Sequence, residues 1–189
     1  MWDTMNASRE KVAELHEAYL RSLEPAQARL RVRLSEPNGP RLDDSMESLD
    51  AVNAWFLTRI LEPRAAETAA LPSWWNPARP TAESGIPVSG PFTSMQLALI
   101  DEMQAYVAEV MTTARPDAKW VTYKGHKLDF RNGQTMLQTG TVMPFAVQGI
   151  VYGEALNAFL YRREVPVKQL SELVRTALAG GGTRLRELK

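Results

Sequence analysis

"KWVTYKGHKLDFRNGQTMLQ", residues 119–138, is where the chain stops repeating in helical turns and starts repeating in twos. Upstream, "QLALIDEMQAYVAEVM" (96–111) brings its apolar residues round every three or four positions. In "KWVTY", "HKLDF" and "QTMLQ" the residues alternate instead, and Gly125 and Asn132-Gly133 separate the three runs. Asn-Gly is the favoured pair for a two-residue type I′ hairpin, because both positions need positive φ. The pattern predicts a small antiparallel meander of three or four strands, with Trp120 on one face and Val121 and Tyr123 on the other. A period-two unit set among helical stretches predicts an α+β fold: N-terminal helices, the meander at about 119–138, and C-terminal helices packed on it.

On the N-terminal side, Thr93 and Gln96 have capping-box spacing and open a helix striped by Ile100, Met103, Val107 and Val110, with Leu99 and Tyr106 beside them. It closes at "ARPD" (114–117). Before it, "LPSWWNPARPTAESGIPVSGPF" (71–92) holds five of the 12 prolines and two of the five tryptophans, which predicts a long loop. Leu49, Val52, Phe56 and Ile60 predict a helix that stops at Glu62-Pro63. Asn6 or Ser8 can cap a first helix through Val12, Leu15, Tyr19 and Leu23, interrupted at Glu24-Pro25. A second helical segment then runs to about Arg33, although "RLRVRL" (29–34) also alternates like a strand.

On the C-terminal side, "PFAVQGIVYGEALNAFLYRR" (144–163) returns to helical spacing, with Pro144 in its first turn. Gly149 and Gly153, four apart, form a smooth face that another backbone could approach. A last helix is expected from Pro166 to Leu178, and "AGGGTRLRELK" (179–189) reads as a flexible tail after a helix stop. The expected organisation is one globular domain over 1–178 with the loop at 71–92 and the tail at 179–189. No internal repeat is visible.

Composition narrows the function classes. The 22 Lys+Arg balance the 22 Asp+Glu, without the basic surplus of a nucleic-acid binder, so no nucleic-acid partner is expected. With no cysteine, disulfide frameworks, thiolate catalysis and cysteine-ligated metals are excluded. No apolar run approaches the roughly 20 residues that span a bilayer, and charges interrupt Met1 to Arg21, where a signal peptide has its apolar core. The expectation is a cytoplasmic protein with no membrane partner.

Candidate chemistry is sparse. "LDDSMESL" (42–49), with Asp43, Asp44, Glu47 and the following Asp50, lacks calcium-loop spacing and its glycine. It reads as a helix N-terminus in which Asp44 and Glu47 have capping spacing. Neither a metal nor a cofactor is expected. His16 and His126 are the two histidines; His16 is placed at the half-exposed edge of the first helix, and His126 in a turn. A catalytic alternative groups His126 with Asp129 and Glu109, beside Tyr123, as acid-base residues in a pocket between sheet and helices. Nucleophile elbow, Walker and dinucleotide-binding patterns are absent. Trp74 and Trp75, framed by Pro72 and Pro77, are candidate partner-binding anchors, or else plugs for the core.

The order of pieces resembles small bacterial α+β proteins of unknown function that carry Leu-Asp-x-Ser-x-x-Ser-Leu, then Tyr-Leu-Gly-Glu-Val, then a tryptophan with a short meander, then Pro-Phe. The matching positions are Leu42, Asp43, Ser45, Ser48, Leu49, Tyr106, Glu109, Trp120, Pro144 and Phe145, within about residues 41–155. Ala108 stands where the pattern has glycine, and the 71–92 excursion is longer than the pattern's. Some such proteins look like immunity or accessory proteins encoded near toxins. The resemblance implies an α+β fold and a non-catalytic, protein-binding or immunity-like role. The rival expectations are an enzyme or small-ligand binder using the pocket, and a self-assembling structural subunit.

Overall fold

A computed structural model describes residues 4, 7–35, 39–62, 69–72, 75, 90–140 and 143–180. The fold is α+β and dominated by helices: α1 (Arg9–Leu34), α2 (Met46–Leu61), α3 (Ser94–Ala114), β1 (Lys119–Thr122), β2 (Thr135–Gln138), α4 (Val147–Phe159) and α5 (Gln169–Leu178). Trp74, most of the 71–92 stretch and the tail from 181 lie outside the described residues.

α3 is the centre of the molecule. Its Thr93–Gln96 capping box forms as expected, with Gln96 N donating to Thr93 Oγ1 and Thr93 N to Gln96 Oε1. The helix is buried on all sides, because α1, α2, α4 and α5 all pack on it. An amphipathic stripe therefore describes it incompletely. Burial extends to Asp101, Glu102 and Gln104, on what the stripe would leave as the wet face.

α1 runs unbroken through Pro25, where two segments were expected. Proline in a helix removes one backbone hydrogen bond and costs about 3 kcal/mol. The stripe Leu15, Tyr19, Ala26, Leu30 and Leu34 is buried on both sides of the proline, and tertiary burial of this kind outweighs local propensity. "RLRVRL" is thus helical. Its alternation serves a different purpose, described below.

The meander is smaller than its alternation predicts. Antiparallel β1 and β2 pair Trp120 with Leu137 and Thr122 with Thr135, and Leu137 also bridges Phe145 on its other side. "HKLDF" forms turns instead of a strand. Asp129 is the reason: its carboxylate accepts from Arg131 N, Nε and Nη2, which folds the backbone back on itself, as local side-chain bonds do when they compete with a ladder. Asn132 Oδ1 accepts from Gly125 N and its Nδ2 donates to His126 O, closing the loop from within. Gly133 has φ of +83°, but Asn132 is not at positive φ, so the pair is not a type I′ turn. A Cβ on Gly133 would meet Thr4 at 2.9 Å and Val12 at 3.0 Å, so glycine is required by space as well as by conformation.

"LDDSMESL" is a helix start, as expected, but the cap is Ser45 and not Asp44. Ser48 N donates to Ser45 Oγ at 3.0 Å, and Ser45 N donates to Asp43 Oδ1 at 3.1 Å. Hydrogen bonds from Ser45 hold the Asp43 carboxyl below the usual carboxylate range. Asp44 has φ of +60°, with its N–H donating to Tyr106 Oη. Ser48 Oγ lies 2.6 Å from the same phenol oxygen, so α2 is registered on α3 through one tyrosine.

Candidate functional site

A groove of about 530 Å³ lies between the 130–134 turn, β2, α4, the 163–165 segment and α5. Glu109, Tyr123, His126 and Asp129, around which a pocket between sheet and helices was expected, do not line it. One wall carries Phe130, Arg131, Gln134 and Met136, and Met143 and Pro144 follow from the β2–α4 connection. The opposite wall is α4, presenting Gly149, Ile150, Gly153, Glu154 and Leu156. Pro144 precedes the helix, which begins only at Val147, since Phe145 is held by the bridge to Leu137.

Among the described residues no other backbone packs against Gly149 or Gly153, where their spacing suggested a close approach. A Cβ at Gly153 would find nothing within 4 Å, and one at Gly149 only Ala146 Cβ at 3.7 Å. The two glycines keep the wall of the groove low. A volume in this range, with mainly apolar walls and few polar groups, is the usual form of a small-molecule site.

Glu154 is the unusual group on that wall. It is buried, only 2% exposed, and neither carboxyl oxygen has a hydrogen-bond partner among the described residues. Burial pushes its pKa up from 4.5 to about 7, with the neighbouring Asn53 amide opposing the shift. Asn53 Nδ2 donates to Val167 O at 2.9 Å, and among the described residues Asn53 Oδ1 has no donor. A buried polar atom left without a partner costs about 1–3 kcal/mol, and such groups gather at functional sites. The sequence held a signal for it: between Arg131 and Arg162, Glu154 is the only charged residue.

This carboxyl predicts a pH dependence of stability. Its folded-state pKa is raised above the unfolded value, so the protonated acid is tolerated in both states below about pH 4.5. As pH rises to about 7 the unfolded chain releases the proton first, and stability falls by on the order of 3 kcal/mol. Urea denaturation at a series of pH values should show this decline, and Glu154→Gln should flatten it. An unchanged decline in the variant would assign it to other groups.

The earlier candidates are placed as follows. Glu109 pairs with Arg31 at 2.9 Å. Asp129 is held by Arg131 at 2.6 Å, which keeps its carboxyl well below the usual range, and accepts from Tyr123 Oη at 3.1 Å. His126 serves its own turn, with Leu128 N approaching Nδ1 at 3.4 Å. Asp129 N donates to His126 O at 2.8 Å in the turn backbone, but among the described residues no side-chain hydrogen bond or ion pair joins Glu109, His126 and Asp129 to one another. His16 Nδ1 lies 3.0 Å from Thr135 Oγ1, so it ties α1 to β2. Trp75 is buried against Tyr152, ring centroids 5.7 Å apart, and Trp74 lies outside the described residues.

A second cavity of about 410 Å³ lies against α1 and α3, beside residues 69–72. Its charges are matched within the protein. Arg33 Nε and Nη2 donate to Glu102 at 2.7 and 3.0 Å, and Arg29 Nη2 to Asp101 at 2.6 Å. Arg29 and Arg33, one helical turn apart, converge on these acids while Arg31 reaches Glu109, which is what the alternation of "RLRVRL" accomplishes on a helix.

Among the described residues no helix is long and apolar enough to cross a membrane. Comparison with protein-family models, with curated proteins and with solved structures finds no match for the chain.

Proposed function

We propose that the protein is a binding protein whose working site is the groove between the meander and α4–α5, and that the groove takes a small, largely apolar molecule. The observation that carries this reading is the unfilled wall at Gly149 and Gly153 on an otherwise packed helix. Glycine inside a helix costs roughly 0.5–1 kcal/mol relative to alanine, and a helix needing only stability would fill these positions.

The test follows from that trade. Gly153→Ala is expected to raise stability by about 0.5–1 kcal/mol, since its Cβ enters open space. Gly153→Leu should stay folded and lose binding of an uncharged apolar probe, n-octanol, measured by calorimetric titration. If n-octanol binds Gly153→Leu as it binds the parent chain, the groove is not the site.

One observation favours a protein partner instead. Leu128 and Phe130 are exposed on the 126–133 turn, and Phe130 and Met143 edge the groove. A partner's apolar side chain entering between them would give the accessory, immunity-like role implied by the recurrent pattern; the buried Trp75 takes no part in it. Competition between n-octanol and such a partner would separate the two readings.

A further inference from the structure

We propose that the 124–132 turn docks on an anionic lipid surface, its apolar side chains entering the lipid and its lysines meeting the headgroups. This goes beyond the groove reading and does not depend on it. The lack of a spanning run argued against a membrane partner, but contact at the surface needs no spanning helix.

The apolar part is Leu128, Phe130 and Met143. Gly133 N donates to Tyr123 O at 2.9 Å, which closes the turn, and Leu128 lies midway between these two residues, 78% exposed. Phe130 is exposed two residues further on, and the exposed Met143 is held beside the turn by its contact with Arg131. The frame beneath them is fixed: Asn132 bonds to Gly125 N and His126 O, and Asp129 clamps Arg131. Little conformational freedom is left to lose on docking.

Charge decides what covers this patch. Lys124 and Lys127 are exposed in the same turn, and among the described residues neither has an ion-pair partner. Asp129 and Arg131 neutralise each other, so the turn keeps the two lysine charges in a chain whose 22 basic and 22 acidic residues cancel. Lysines interleaved with apolar side chains suit a lipid interface, where the stems lie along the apolar layer and the ammonium groups reach the anionic headgroups. A stable protein interface buries about 800 Å² on each partner, more than three side chains at a turn supply, whereas a lipid surface sets no such minimum. Nucleic acid is the less apt polyanion. Arg131 covers one face of both Tyr123 and Phe130, at 5.2 and 5.8 Å, and is itself committed to Asp129, which leaves little for stacking bases.

The experiment floats the full chain with vesicles of phosphatidylcholine alone or with roughly a third phosphatidylglycerol. Binding is expected to be about tenfold or more tighter on the anionic vesicles and to weaken as salt rises. Lys124→Gln/Lys127→Gln should lose about fivefold in affinity for each lysine, and Leu128→Ser/Phe130→Ser about tenfold or more. A second readout locates the contact. The chain has no cysteine, so Leu128→Cys can carry a single environment-sensitive fluorophore, whose emission should shift to the blue on anionic vesicles. The same dye at Val32→Cys should not respond: Val32 is as exposed, at 74%, but lies about 30 Å along α1 from Val12, the neighbour of Gly133. Absence of vesicle binding, equal binding to both vesicles, unchanged affinity in either double variant, or equal dye shifts at 128 and 32 would overturn the proposal. So would binding of a single-stranded oligonucleotide without binding of vesicles, which would assign the lysines to nucleic acid.

Discussion

Arg33→Leu is expected to lower stability by about 3 kcal/mol, at the lower end of what breaking a buried ion pair costs. Glu102 is completely buried, and Arg33 meets both of its oxygens. Removing the arginine leaves the carboxylate with Arg29 Nε at 3.5 Å, a poor substitute that is already committed to Asp101. The Arg33 side chain is 29% exposed, so solvent moderates the loss. Two controls make the result specific. The double variant Arg33→Leu/Glu102→Leu should recover most of the stability, because apolar pairs commonly replace buried ion pairs without penalty. Arg31→Leu should cost under about 1 kcal/mol, because its pair with Glu109 is open to solvent. Equal urea midpoints for Arg31→Leu and Arg33→Leu would contradict the burial of Glu102 at the centre of the fold.

Trp75→Ala is expected to cost about 3–5 kcal/mol, as truncating a buried aromatic does. The Trp75 ring packs on Tyr152, which meets Phe92 edge-on at 5.3 Å, and Phe92 in turn packs on Phe159. Its backbone is fixed as well, with Trp75 N donating to Pro72 O at 2.9 Å. Tyr152 also lines the groove, and burial pushes its phenol up to about 12, so it is a neutral, packed wall. Trp75→Phe should restore much of the stability. A melting point for Trp75→Ala within experimental error of the parent would show that this ring is not part of the core and would return it to the role of a surface anchor.

What was legible in the sequence is what depends on neighbours along the chain. The capping box at Thr93 and Gln96, the stop at Glu62, and the change of period after Ala114 are local signals, and each appears where the residues put it. Errors arose where distant contacts outweigh local preference. Pro25 should break a helix, but the buried stripe on either side carries α1 through it. "HKLDF" alternates, but Asp129 bends it around Arg131, and five residues are too few for alternation to prevail over that clamp. Asp44 was expected to cap α2, and Ser45 does so instead. The Asp44 N–H is taken by Tyr106, 58 residues from Ser48 in sequence.

The groove was not legible: a pocket between sheet and helices was expected around Glu109, Tyr123, His126 and Asp129, and none of the four lines it. Glu109, His126, Asp129 and Tyr123 attracted notice as familiar chemistry, whereas Asp129 and Glu109 hold arginines. The isolated charge of Glu154 in a long uncharged stretch was the better signal, because a lone carboxyl on an apolar helix must either be paired or be used.

The groove itself is tested most directly by methyl NMR of the methionines during titration with n-octanol. Met136 and Met143 line the groove, while Met95 lines the second cavity and Met103 and Met111 lie in the core. The expected result is that the Met136 and Met143 methyl signals move with a single saturable dependence on probe concentration while Met95 stays in place. Saturable movement of Met95 alone, or no saturable movement of Met136 and Met143, would contradict it.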